Sequence, residues 1–278
     1  MLENLPHLAF LPVQCLIIHE QHDDQRTPPL IERIQASGVF RNPPIVTPLQ
    51  DNSGRYMVLD GANRTTALQM MGYPHALVQI VQPDDPGLKL QNWNHVVWDM
   101  DPKDFLTGIR DIEGINLLSI HGREMEPDLW GPCGLSLIQI PRGRTFTVCT
   151  PTTKLVKRVG LLNAIVDVYK DRAHLDRTSD QDIKPLKEIY TNISGLVIFP
   201  HFEVEDVLKL ASAGYLLPTG ITRFTVSPRA LHVNYPLEEL ASDRPIEEKN
   251  RALQDWIQKK IARKGVRYYA EATFLFDE

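Results

Sequence analysis

The sequence predicts a mixed α/β protein of two domains, and three observations carry that expectation. Over the first hundred residues, short apolar runs alternate with short amphipathic segments, the rhythm of strands and helices folded together. Beyond the loop Pro83-Asp84-Asp85-Pro86-Gly87 the rhythm changes to longer helical segments and a hairpin. The length of 278 residues, 42% of them apolar, suffices for two domains or one large one, and the change of rhythm favours two. The expected domains are residues 1–100 and 101–278.

Leu8–Phe10 and Cys15–Ile18 are apolar runs broken by Pro12 and read as extended. The cluster His19-Glu20-Gln21-His22-Asp23-Asp24 follows. Pro28-Pro29 opens a helix over Leu30–Ala36, with Gly38 after it. Ile45–Thr47 reads as a strand, Asp51-Asn52-Ser53-Gly54 as a turn, and Tyr56–Leu59 as a buried strand. A tight turn at Asp60-Gly61 then leads into a helix that starts near Ala62-Asn63 and ends before Gly72, with a further strand at Leu77–Val81.

In the second half, Pro102–Ile112 reads as a helix and Ile115–Ile120 as a strand. Leu135–Ile140 and Thr145–Cys149 flank a hairpin tip at Arg142-Gly143-Arg144. Leu155–Tyr169 reads as a largely buried helix and Asp171–Asp182 as a solvated loop. Leu196–Phe199 is a strand, Val204–Ala213 a helix, and Leu217–Phe224 a polar loop. Ile246, Leu253, Trp256, Ile257 and Ile261 recur at helical spacing, so a long amphipathic helix runs to about Lys264, and Tyr268–Phe276 reads as a last strand.

The charge balance, 30 Lys+Arg against 35 Asp+Glu for a net −5, argues against a general nucleic-acid coat. Cys15, Cys133 and Cys149 are odd in number and lack metal-ligand spacing, so they read as reduced thiols of a cytoplasmic protein. No apolar run reaches the length of a membrane span, and the N-terminus reads as lacking a signal peptide.

The stretch from Tyr56 to Gly72 carries the most chemistry. Asp60, Asn63, Thr65 and Thr66 gather at a helix start, where free N–H groups and the positive end of the helix dipole suit a phosphate. Arg64 adds a permanent, fork-shaped charge. On these residues alone, an anion site and a plainly capped helix start are equally open.

Strand-Asp60-Gly61-x-x-Arg64-helix resembles the signature of the ParB/sulfiredoxin-like superfamily. His19-Glu20-Gln21, Ser37-Gly38-Val39-Phe40 and Pro218-x-x-x-Thr222-Arg223 follow in matching order. Together they resemble the free L-serine kinase branch, including its SbnI-like members, most strongly over residues 15–100 and 203–240. The resemblance implies a ParB/sulfiredoxin-like nucleotide-binding domain facing a second α/β domain, with serine bound in the cleft between them. It implies that Ser37, Gly38, Asp60, Gly61, Ala62, Asn63, Arg64 and Thr65 bind the nucleotide. Asp60 would hold Mg²⁺, and Glu20 would be the catalytic base. Trp93, His95, Thr222 and Arg223 would bind the amino acid. Some members carry two histidines where this chain has Ala62 and Asn63. A cysteine nucleophile, as in sulfiredoxins, is missing at Ala62.

Those residues suit phosphoryl transfer from ATP or ADP to serine. The helix start, Arg64 and Mg²⁺ would hold the phosphates, and Glu20 would take the hydroxyl proton, a step worth about 10²–10⁴-fold. Arg223 would pair with the serine carboxylate, and a carboxylate or carbonyl would hold its ammonium. The expected partners are a nucleotide and a small amino acid, without a membrane. The alternative is a ParB-like nucleotide- or ligand-sensing transcriptional regulator that binds DNA without catalysis. Residues 83–150 lack the helix-turn-helix signal it needs, and no clustered carboxylates suggest a two-metal nuclease.

Overall fold

The structure is a computed structural model that describes residues 5–21, 27–120, 131 and 133–269. His22, Asp23 and Asp24 of the acidic cluster, and residues 270–276 of the expected last strand, lie outside them. Tyr268 and Tyr269 are within them and are not in a strand.

The chain forms two compact units, each assembled from separated stretches. One contains residues 1–17, 24–87 and 226–278, the other residues 18–23 and 88–225. A single cut near residue 100 therefore does not describe the division. The reason lies in the amphipathic C-terminal helix, Ile246–Ala262, which needs an apolar partner and finds it on the first sheet.

The sheet of the first unit has five strands in the spatial order His7–Pro12, His75–Ile80, Ile45–Pro48, Tyr56–Asp60 and Leu16–Ile18. His7–Pro12 pairs antiparallel with His75–Ile80, and Ile45–Pro48 pairs antiparallel with Tyr56–Asp60, whereas Ile45–Pro48 and His75–Ile80 run parallel. The core gathers Phe10, Val46, Val58, Leu68, Leu77, Leu253 and Ile257. Asn250 fixes the C-terminal helix to the first strand: its Oδ1 accepts from the Phe10 N–H at 2.7 Å and its Nδ2 donates to the Phe10 carbonyl at 3.2 Å. Tyr235 meets Phe10 edge-on, with ring centroids 5.6 Å apart.

The second unit is built on a six-stranded sheet in the order His174–Thr178, Asn94–Trp98, Ile193–Ile198, Gly134–Gln139, Thr145–Cys149 and Asn116–Ile120. The predicted hairpin is present, with Gly143 at its tip in the left-handed region at φ 78°. The charged stretch 171–182 is not only a loop, because His174–Thr178 is an edge strand. Its outward charges hid it from a reading based on apolar runs, although such charges are what an exposed edge needs to resist pairing with another chain. Trp98 stacks on His174 at 4.3 Å and donates from Nε1 to Asp176.

The expected loop 217–224 ends in a strand, Thr222–Val226, paired with Leu88–Asn92. Among the described residues of 83–150, the single helix is Pro102–Arg110, amid strands. Cys133 and Cys149 are paired as a disulfide with Cα atoms 4.9 Å apart, which corrects the expectation of three reduced thiols. Sequence distance concealed them: antiparallel pairing sets Gly134 opposite Cys149 and brings Cys133 alongside. Cys15 is free.

Candidate active site

Two clusters hold the predicted residues, one in each unit. In the first unit, the strand Tyr56–Asp60 ends at Gly61, and the helix Ala62–Met70 begins immediately. Gly61 has φ 94°, and a Cβ there would lie 2.8 Å from Arg64 Nη2 and 3.1 Å from Pro44 Cα. Glycine suits this position, because side chains rarely adopt this positive φ and a Cβ would crowd Pro44 and the folded-back Arg64. Arg64 Nη2 then donates to Asp60 Oδ2 at 3.0 Å. Burial lowers the Arg64 pKa, the Asp60 charge opposing it, and the guanidinium remains a cation. Its Nε–H is buried without a partner among the described residues.

No side chain caps this helix, and its first backbone bond runs from the Thr65 N–H to the Gly61 carbonyl. The N–H groups of Ala62, Asn63 and Arg64 precede that bond and stand at the positive end of the dipole. Thr65 is turned inward: it is fully buried and its hydroxyl donates to the Gly61 carbonyl at 3.2 Å. It shapes the turn and presents no group to a ligand. Ser37 and Gly38 close the helix Thr27–Ser37, where the Ser37 hydroxyl lies 2.8 Å from the Ile34 carbonyl and 2.9 Å from that of Val39.

Sequence reasoning missed Arg229, whose Nη2 donates to the same Asp60 Oδ2. No local signal marks it, because it lies 169 residues away. Two guanidiniums on one carboxylate leave net positive charge at the helix start, which suits an anion. Both converge on Oδ2, so Oδ1 remains for a metal. One carboxylate oxygen fits Mg²⁺, which keeps several waters and binds phosphate oxygens. Among the described residues no group of three or more His, Cys, Asp or Glu could hold a metal by itself.

In the second unit, Glu20 reaches the segment Gly220–Thr222. Its Oε2 accepts from the Gly220 N–H at 2.7 Å. Its Oε1 accepts from the Thr222 N–H at 2.6 Å and from the Thr222 hydroxyl at 2.5 Å. The hydroxyl thereby uses its one proton, so the 2.7 Å contact with His19 Nε2 requires the histidine to donate.

His95 is fully buried behind the same loop. Its Nε2 lies 3.3 Å from the Gly220 carbonyl, which can only accept, so Nε2 carries the proton and Nδ1 accepts from the Tyr169 hydroxyl at 2.9 Å. Burial pulls its pKa down to about 3, against the Gly220 hydrogen bond, and His95 is neutral at physiological pH. With both nitrogens engaged inside the protein, His95 supports the loop and does not face a substrate. Gly220, at φ 69°, is thus held through its N–H and its carbonyl, and the Arg177 side chain lies where a Cβ would be. Arg223 lies over the half-buried Trp93, its guanidinium carbon 4.3 Å from the ring centroid.

The fold defines the class: a mixed α/β protein that shares its architecture with solved structures of SbnI and a free serine kinase. Particular relatives follow. The ATP-dependent L-serine kinase SbnI of Staphylococcus aureus (strain NCTC 8325 / PS 47) is 23% identical over 284 residues, covering 98% of each chain. An ATP-dependent L-serine kinase of Staphylothermus marinus is 34% identical over 85 residues, 31% of this chain and 33% of that protein. Among solved structures, a C-terminally truncated SbnI of Staphylococcus aureus superposes with a TM-score of 0.71 at 21% identity, covering 93% of this chain and 97% of the other. A glutamate-to-alanine variant of a free serine kinase in complex with ADP gives 0.69 at 16% identity, covering 85% and 95%. No protein-family model matches the chain. The SbnI-like resemblance in the motifs therefore extends over nearly the whole chain.

Proposed function

We propose that this protein is an ATP-dependent kinase of free L-serine whose product is O-phospho-L-serine. The carrying observation is the Glu20–Gly220–Thr222 cluster, a carboxylate set beside a loop that Arg223 and Trp93 adjoin. The serine kinase relatives support the choice of substrate, and their names support ATP as donor.

In this reading the serine hydroxyl oxygen attacks the γ-phosphorus, the bond from that phosphorus to the ADP oxygen breaks, and the hydroxyl proton passes to Glu20. A carboxylate offers about four acceptor positions. Three are occupied by Gly220 and Thr222, and the fourth, on Oε2, is the one that takes the proton. Arg223, stacked on Trp93, pairs with the serine carboxylate. The N–H groups of Ala62, Asn63 and Arg64, with the Arg64 guanidinium, bind phosphate oxygens. Ser37 and Gly38 stand at the negative end of their helix and meet the uncharged nucleoside side. Asp60 would hold Mg²⁺, which would neutralise phosphate charge.

No helix among the described residues is long and apolar enough to cross a membrane. We place the reaction in the cytoplasm, where ATP and free serine are available. Phosphorus NMR of the protein with serine, Mg²⁺ and either ATP or ADP tests the proposal. The expected result is an O-phosphoserine resonance with ATP; no product with either nucleotide overturns it.

A further inference from the structure

Arg229 is exposed, yet its backbone is fixed on both sides by one buried amide. Gln79, only 2% exposed on the strand His75–Ile80, donates from Nε2 to the Pro228 carbonyl at 2.9 Å. Its Oε1 accepts from the Ala230 N–H at 2.8 Å. The peptide groups flanking Arg229 are therefore held by a side chain that is itself anchored, since the Gln79 N–H donates to the Pro44 carbonyl at 2.8 Å. Further along, the His232 N–H donates to Asn42 Oδ1 at 2.9 Å, and the Ser227 N–H donates to the Gly87 carbonyl at 3.1 Å.

An exposed arginine–carboxylate pair contributes little to stability, so the ion pair with Asp60 does not by itself account for this support. The position of the guanidinium does. It converges with Arg64 on Asp60 Oδ2, beside the N–H groups that open the helix Ala62–Met70. The Arg64 Nε–H, buried without a partner among the described residues, is a further unmet donor at the same turn.

We infer that Arg229 is a second phosphate-binding arginine of the Asp60-Gly61 turn, aimed by Asp60 and held in place by Gln79. The ligand class is the polyphosphate end of a nucleoside triphosphate, the choice of nucleotide resting on the kinase reading above. Asp60 orients both guanidiniums, and fixing the backbone before binding removes part of the ordering cost. Each guanidinium keeps N–H groups for phosphate oxygens while one nitrogen engages Asp60.

Calorimetric titration of ATP and of inorganic triphosphate into the full chain and into Arg229→Ala tests this. The variant should bind both ligands at least tenfold more weakly, with a shallower salt dependence and an unchanged melting temperature. Arg229→Gln, which keeps the length without the charge, should show the same loss, and Arg229→Lys a partial one. Affinities within twofold of the unmodified protein, or an unmodified protein that binds neither ligand, overturn the inference. If the unmodified protein binds ATP but makes no O-phosphoserine while Arg229→Ala loses binding, the kinase reading falls and the phosphate site stands. If O-phosphoserine forms and Arg229→Ala binds ATP normally, the reverse holds.

Discussion

Replacing Glu20 by glutamine separates the two tasks assigned to this side chain. The carboxylate accepts from two backbone N–H groups with different oxygens, Gly220 at Oε2 and Thr222 at Oε1. A glutamine has one acceptor oxygen and one NH₂. If its oxygen takes the Oε1 position, both Thr222 bonds survive and the amide nitrogen faces the Gly220 N–H, donor against donor. The turned amide instead opposes the Thr222 N–H. Either way one backbone donor is left unmet, at a cost of about 1–3 kcal/mol. Glu20→Gln should therefore melt lower by about 2–12 °C, using roughly 2–4 °C per kcal/mol for a protein of this size. It should also lose serine phosphorylation by about 10²-fold or more, because the proton acceptor is gone, while ATP affinity changes little. The assays are a thermal melt, phosphorus NMR of product and ATP titration. Full turnover would remove Glu20 as the base, and an unchanged melt would remove its hold on the loop.

Three further outcomes are expected. His95 is neutral in the fold and titrates near 6.5 when unfolded, so the unfolded chain binds the extra proton and stability is lost as pH falls from about 6.5 towards 3. Between pH 7 and 5 this amounts to about 2 kcal/mol; urea unfolding of His95→Gln should lack that increment, and equal pH dependence would refute it. Gly61→Ala places a Cβ against Arg64 and Pro44 at a positive φ, so it should destabilise by about 1–2 kcal/mol and weaken ATP binding, read by melting and titration. Trp93→Leu removes the surface under Arg223, worth about 0.5–1 kcal/mol, and should raise the serine KM about 2–5-fold with kcat nearly unchanged.

Much of the first cluster was legible because it is local. Strand, Asp60-Gly61 turn and helix start lie within a dozen residues, and glycine chemistry, helix dipole and Arg64 can all be read from that spacing. Glu20 and Thr222-Arg223 were legible only through the ordered motifs, since nothing near Glu20 says which loop it will reach. Thr65 and His95 were legible as polar residues of a site, but their orientation was not. Each satisfies its hydrogen bonds inside the protein, a choice that depends on what packs behind it.

From the sequence alone came the mixed α/β class, most element positions, the glycine turn that opens the helix at Ala62, and the branch that the motifs resemble, because periodicity and turn chemistry act over a few residues. Tertiary structure alone decided what joins distant segments. It drew residues 226–278 into the first unit, paired Cys133 with Cys149, clamped Gly220 between Glu20 and His95, and set Arg229 on Asp60. The physical reason is the same in each case. An apolar helix face, a strand edge or a buried polar group must be satisfied, and its partner is selected by packing in three dimensions, which no local pattern records.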